Sequence, residues 1–130
     1  MLEVAKSVLE AIRKEAERAH PEECCGILLG AGDRITAIQP AANLHPTPRT
    51  HFEIDPQALI DAHREARGGG AEIVGYYHSH PTSAAMPSAR DAAMAARDGK
   101  VWAIIAGEST RFWSDRKAGF CELSYSIAEE

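Results

Sequence analysis

The chain has 130 residues, 45% of them apolar and 25% charged, with a formal net charge of −5. This composition is that of a globular protein whose core needs no staples, and the length suggests one domain over 1–130. The acidic balance offers no basic face for nucleic acid, and no apolar run approaches the roughly 18 residues of a membrane span. Cys24, Cys25 and Cys121 are odd in number, two of them adjacent, which makes a poor disulfide framework. The N-terminus lacks the basic start and apolar centre of a signal peptide, so the expected compartment is a reducing cytoplasm.

Taken in order, Leu2, Ala5, Leu9, Ile12 and Ala16 recur at helical spacing and predict an amphipathic helix that ends by Pro21. Residues 25–30 read as a buried strand, apolar without alternation. A turn over 30–33 leads to a second strand over 34–39, so the two form a hairpin. Residues 40–48 carry three prolines and an asparagine and read as irregular loop. Asp55-Pro56 starts a helix that the Gly68-Gly69-Gly70 run stops. Next come a strand ending in Tyr76-Tyr77-His78-Ser79-His80, a loop over 81–87, and an alanine-rich helix from Ala89 to about Arg97. Residues 101–106 and 110–114 form a further hairpin. Cys121, Leu123, Tyr125 and Ile127 alternate with polar residues as one half-buried strand. The order α-β-β-α-β-α-β-β-β predicts an α/β fold, a mixed, mostly antiparallel sheet flanked by helices.

The chemistry concentrates from the end of the third predicted strand onward. Side chains alternate along a strand, so His78 and His80 point to the same side. Ser88 sits at a helix N-cap, which places Asp91 in the first turn. Two imidazoles and one carboxylate make three ligands with a fourth coordination position open, the pattern of a catalytic rather than a structural zinc. Bland readings exist for each: a lone histidine usually means nothing, and His20, His45, His51 and His63 are assigned to that reading. Ser88-x-x-Asp91 is also a capping box; the two roles are compatible, since a carboxylate has two oxygens. Cys25 lies in an apolar run and reads as a small core residue rather than a nucleophile.

His78-Ser79-His80-Pro81, six residues, then Ser88-Ala89-Arg90-Asp91 resembles the JAMM signature, H-x-H-P followed by S-x-x-D, of the MPN-plus (JAB-type) zinc metallopeptidases. Glu23-Cys24-Cys25-Gly26 is similar to the E-x-C-G setting of that family's upstream glutamate, with Pro21 before it as in small prokaryotic members. The order of elements matches along nearly the full length. The resemblance implies the JAMM/MPN fold, with its cytidine-deaminase-like architecture, and one zinc per chain held by His78, His80 and Asp91. It implies that Glu23 is the general base, taking a proton from the attacking water and returning it to the leaving amine, and that Ser88 donates to the developing oxyanion. Glu22, adjacent and facing the other way, is the control for Glu23.

The activity implied is hydrolysis of a peptide or isopeptide bond after a ubiquitin-like C-terminal tail. Without the long insertions of deubiquitinating members, the chain resembles small prokaryotic enzymes acting on sulfur-carrier proteins of the ThiS/MoaD kind. The loop over 49–55 is a candidate for holding the extended tail, by strand addition. No nucleic-acid or membrane partner is expected; a homodimer stays open. Two other functions compete. A non-catalytic MPN-type binding scaffold loses several signature residues, and here none is lost. A zinc deaminase needs H-x-E and a downstream P-C-x-x-C, and the chain has neither.

Overall fold

The computed structural model describes residues 1–129. Its elements run β1 (Leu2–Ala5), α1 (Lys6–Ala19), β2 (Cys25–Ala31), β3 (Arg34–Ala41), α2 (Pro56–Arg67), β4 (Glu72–Ser79), α3 (Ala89–Met94), β5 (Val101–Ala106), β6 (Ser109–Arg116), β7 (Gly119–Leu123) and β8 (Tyr125–Ala128). They build one eight-stranded mixed sheet in the order β7-β6-β5-β4-β2-β3-β1-β8. Three neighbouring pairs are parallel and four antiparallel, which matches the expected sheet. No helix among the described residues is long and apolar enough to cross a membrane.

Beyond shifts of one or two residues at strand ends, three parts of the sequence reading differ, each for a tertiary reason. The first helix starts at Lys6, because residues 2–5 pair as a parallel strand with both β3 and β8. Leu2 and Val4 alternate as well as they fit a helix, and a run that short carries both periods. The third helix stops at Met94 rather than near Arg97. There the backbone extends, and the Arg97 N–H donates to the carboxylate of Asp115 (3.0 Å), a partner 18 residues away. The C-terminal run is two strands, not one. β7 pairs with β6, β8 pairs with β1, and only Ser124 separates them, so the sheet curls until its two edges meet at that residue. Phe112 and Tyr125 close the seam edge to face at 4.6 Å. Cys121 and Ile127, expected inside, are exposed.

The curled sheet has two apolar faces. On one, Val8, Leu9 and Ile12 of α1 pack with Leu28, Ile35, Tyr77, Ile105 and Phe112. On the other, Cys25, Trp102, Ile104 and Trp113 meet Phe52 and Ala85 from the loops, and Ile27 and Ile73 meet Ala62 of α2. Alternation along β2 and β4 sends neighbouring residues to opposite faces: Tyr77 lies under α1, while His78 faces the loops.

Gly26 is required by a close approach. A Cβ there would run into the ring of Tyr77, which is fully buried and cannot swing away. Gly26→Ala is therefore expected to lower unfolding free energy by about 1–3 kcal/mol, the usual cost of overpacking a core. Urea denaturation reads it as a lower midpoint at unchanged slope; an unchanged midpoint contradicts this packing.

Candidate active site

The site forms where β4 ends. Cys25 of β2 pairs with His78 of β4, and the pairing runs on one step: Ser79 N donates to the Cys24 carbonyl (3.1 Å), and Cys24 N donates to Ser79 Oγ (2.8 Å). The next residues in that register are Glu23 and His80. Glu23, Cys25, His78 and His80 thus share one face, while Glu22 is exposed.

His78 Nε2, His80 Nε2 and Asp91 Oδ2 make a triangle with sides of 3.0, 3.1 and 3.2 Å. All three side chains are buried. Each has a second contact that sets its orientation. His80 Nδ1–H donates to the Ala84 carbonyl (2.8 Å), which leaves the Nε2 lone pair pointing into the triangle. The His78 ring lies between Phe52, stacked at 4.3 Å, and the edge of Trp102 at 5.6 Å. Asp91 closes a capping box: Ser88 Oγ accepts from Asp91 N (3.0 Å), and Asp91 Oδ2 accepts from Ser88 N (2.9 Å). The capping and ligand readings of Asp91 meet in one carboxylate, indeed in one oxygen.

The electrostatics follow from burial and proximity. Burial alone would raise the Asp91 carboxyl, but hydrogen bonds from His78 and His80 outweigh it and hold it far below the usual carboxylate range. Burial pushes His78 down; at His80 burial pulls the same way, but Asp91 and the Ala84 carbonyl overcome it and raise it. The Glu23 carboxyl is pushed up to about 7 by burial, with His80 opposing and Asp91 adding. The Cys25 thiol is pushed up to about 12 by burial, which suits a core residue and not a nucleophile.

The donor set fits a zinc ion. Two imidazole nitrogens and one carboxylate oxygen are a catalytic-type set, and three donors about 2 Å from one tetrahedral ion lie about 3.3 Å from each other, close to the triangle observed. His45 and His51 stack on each other at 4.5 Å and take no part in the triangle. Sequence reasoning missed Phe52 as the ring partner of His78. Its signal was a lone aromatic in a polar loop. Phe52 and Trp102 also line an apolar hollow of about 230 Å³ with Ile54, Leu59, Tyr76 and Met94.

The fold and this donor triangle define an α/β domain of the metallohydrolase kind. Residues 5–116 match the family model for prokaryotic homologs of the JAB domain. The chain is 37% identical over 125 residues to the desampylase of Haloferax volcanii, covering 93% of this chain and 89% of that one. It is 38% identical over 92 residues to a probable TtuB-protein conjugate cleaving protease of Thermus thermophilus, covering 70% of this chain and 61% of that relative's length. The solution structure of a protein from Desulfitobacterium hafniense superposes with a TM-score of 0.88 at 30% identity, covering 100% and 94%. The chain belongs to the prokaryotic JAB-domain family, the small JAMM/MPN type to which the H-x-H-P and S-x-x-D spacing pointed.

The join between β2 and β4 at the site is testable. Ser79→Ala leaves the buried N–H of Cys24 without its acceptor. An unpaired buried donor costs about 1–3 kcal/mol, so the variant should unfold at lower urea. An unchanged midpoint would mean that this bond contributes nothing to holding the strand beside Glu23.

Proposed function

We propose that this JAMM-type peptidase is a zinc-dependent hydrolase that cleaves a peptide or isopeptide bond after the extended C-terminal tail of a ubiquitin-like, sulfur-carrier-type protein. The observation that carries the proposal is the buried triangle of His78, His80 and Asp91, with a buried glutamate on the same face of the ladder. His78, His80 and Asp91 would hold one zinc. Zinc in such a set supplies Lewis acidity that lowers the pKa of a water from 15.7 to about 7.

The chain's own residues perform the remaining steps. Glu23 takes a proton from the attacking water and delivers it to the leaving nitrogen, a role open to a buried carboxylate on the same side as the donor triangle. Ser88 Oγ accepts from Asp91 N, so its own hydroxyl proton is available for the oxygen on which charge develops. One such donor contributes about 10² or more in rate. The loop over 49–55 carries Phe52 to the ring of His78 and borders the apolar hollow. That supports a tail with an apolar segment near the scissile bond. The substrate class is the one named for the Haloferax and Thermus relatives, a desampylase and a TtuB-conjugate protease.

Purified protein should bind one zinc per chain, and His78→Ala combined with His80→Ala should abolish that binding. Chelation should leave the fold intact, because the domain's core does not run through the metal; loss of NMR dispersion on chelation would contradict it. Glu23→Gln should cost about 10² to 10⁴ in kcat and leave zinc content unchanged, whereas Glu22→Gln should change little. The assay is cleavage of a ubiquitin-like tail fused to a short peptide. Turnover lost in Glu22→Gln and kept in Glu23→Gln would overturn the assignment of the base.

A further inference from the structure

Glu23 precedes β2, and its own backbone is held by the loop over 42–55 rather than by a ladder. Its N–H donates to the Pro48 carbonyl (2.7 Å), and its carbonyl accepts from Asn43 Nδ2 (3.0 Å). Asn43 engages both ends of its amide. Nδ2 also donates to the His51 carbonyl (3.0 Å), and Oδ1 accepts from the N–H groups of His45 (3.1 Å) and Glu53 (3.0 Å). Two donors and two lone pairs are the full capacity of a primary amide. One side chain thereby ties together the lead-in to β2, the start of the loop and its return.

The two donors of Asn43 are not needed for the pairing that closes the loop. The short pairing of 42–44 with 53–55 has its own backbone bonds, from Leu44 N to the Glu53 carbonyl (2.9 Å) and from Asp55 N to the Ala42 carbonyl (3.1 Å). What the donors reach instead are two carbonyls flanking the site. One belongs to Glu23. The other belongs to His51, whose next residue, Phe52, stacks on His78.

We propose that Asn43 is a positioning residue for the hydrolytic reaction: by clamping the carbonyl of Glu23 to the loop, it fixes the aim of the Glu23 carboxylate at the donor triangle. The inference rests on the reading of Glu23 as the base. Asn43 is not part of the donor triangle. The positioning runs through its bond to the Glu23 carbonyl. Its bond to the His51 carbonyl would act through Phe52 and His78, and that effect would persist in a variant lacking the Glu23 carboxylate. A misplacement of about 1 Å at such a group can cost about 10² in rate.

Asn43→Asp keeps the acceptors for His45 and Glu53 and removes both donors. It should lower kcat about 10- to 100-fold, with KM within about twofold of the wild type and zinc content unchanged. In the Glu23→Gln background the same change should cost less than about threefold, because a residue acting through Glu23 has nothing left to position. Equal losses in the two backgrounds would overturn the proposal, as would wild-type kcat or loss of zinc in Asn43→Asp alone. Amide exchange on metal-free protein gives a readout besides activity: the Glu23 N–H should exchange about tenfold faster or more, while those of His45 and Glu53 stay protected. An unchanged Glu23 amide also overturns it. Asn43→Ser supplies the same cycle should Asn43→Asp not fold. If Glu23→Gln alone keeps wild-type kcat, the base assignment fails and the proposal falls with it. That result is distinct from a failure at Asn43, because it appears in the Glu23 single variant.

Discussion

The register of β2 against β4 is the constraint on which the site depends. Cys25 opposite His78 brings Glu23, Cys25, His78 and His80 to one face, and sends Cys24, Tyr77 and Ser79 to the other. A slip of one residue would reverse that sorting entirely. It would put the imidazoles under α1 and Tyr77 in the site. Two features resist a slip. The ring of Tyr77 occupies the space where a side chain at Gly26 would be, so the pair fits in this register. Leu28 and Tyr77 are fully buried in the α1-side core, and polar residues could not replace them there without losing that burial.

The burial that gives the site its chemistry also imposes a cost, which the surrounding loops offset. Glu23, His78, His80 and Asp91 are polar groups with less than a tenth of their surface exposed. A buried polar group is costly unless it is paired; His78, His80 and Asp91 meet one another, and their further contacts come from outside the sheet. Ala84 supplies a carbonyl to His80, Ser88 an N–H to Asp91, and Phe52 a ring face to His78. Arg90 Nε donates to the Thr50 carbonyl (2.9 Å), joining the start of α3 to the loop that carries Phe52. The loops over 42–55 and 81–88 both pack at the end of β4, with Phe52 and Ala85 in one apolar cluster.

Much of this was legible in the sequence, and the parts that were not share a cause. The histidine pair, the capping serine and the aspartate are local patterns, read from alternation and from helix-start chemistry. They converge as those patterns imply. The placement of Glu23 beside them was legible only through resemblance, since nothing local says that residue 23 comes to lie beside residue 80 where the β2–β4 pairing ends. What escaped were long-range captures. Asp115 ends the third helix by taking the Arg97 N–H, against the helical preference of the alanines before it. Leu2 and Val4 become a strand because β3 and β8 flank them. The run over 119–128 divides because its halves serve opposite edges of a curled sheet. Asn43 read as loop punctuation, and nothing in its neighbours told of four hydrogen bonds to three separated segments.

The proline of the H-x-H-P motif has a structural reason that completes the geometry. β4 runs parallel to β5, and the last bond of that pairing is from His80 N to the Ile105 carbonyl (2.8 Å). On the opposite edge, where Ser79 N reaches the Cys24 carbonyl (3.1 Å), the next donor would be residue 81, and Pro81 has no N–H to continue the pairing with the β2 side. The chain therefore leaves the sheet immediately after the second histidine, turns, and brings the Ala84 carbonyl back to His80 Nδ1. Trp113 Nε1 donates to the Ala85 carbonyl (3.2 Å) and seats the turn on β6. From there the chain reaches Ser88 and enters α3 with Asp91 in its first turn. Helix starts that follow strand ends are where α/β sheets gather their sites, because side chains from both elements can meet there. In this chain the strand must stop at residue 80 for the carboxylate of residue 91 to return to it, and Pro81 is what stops it.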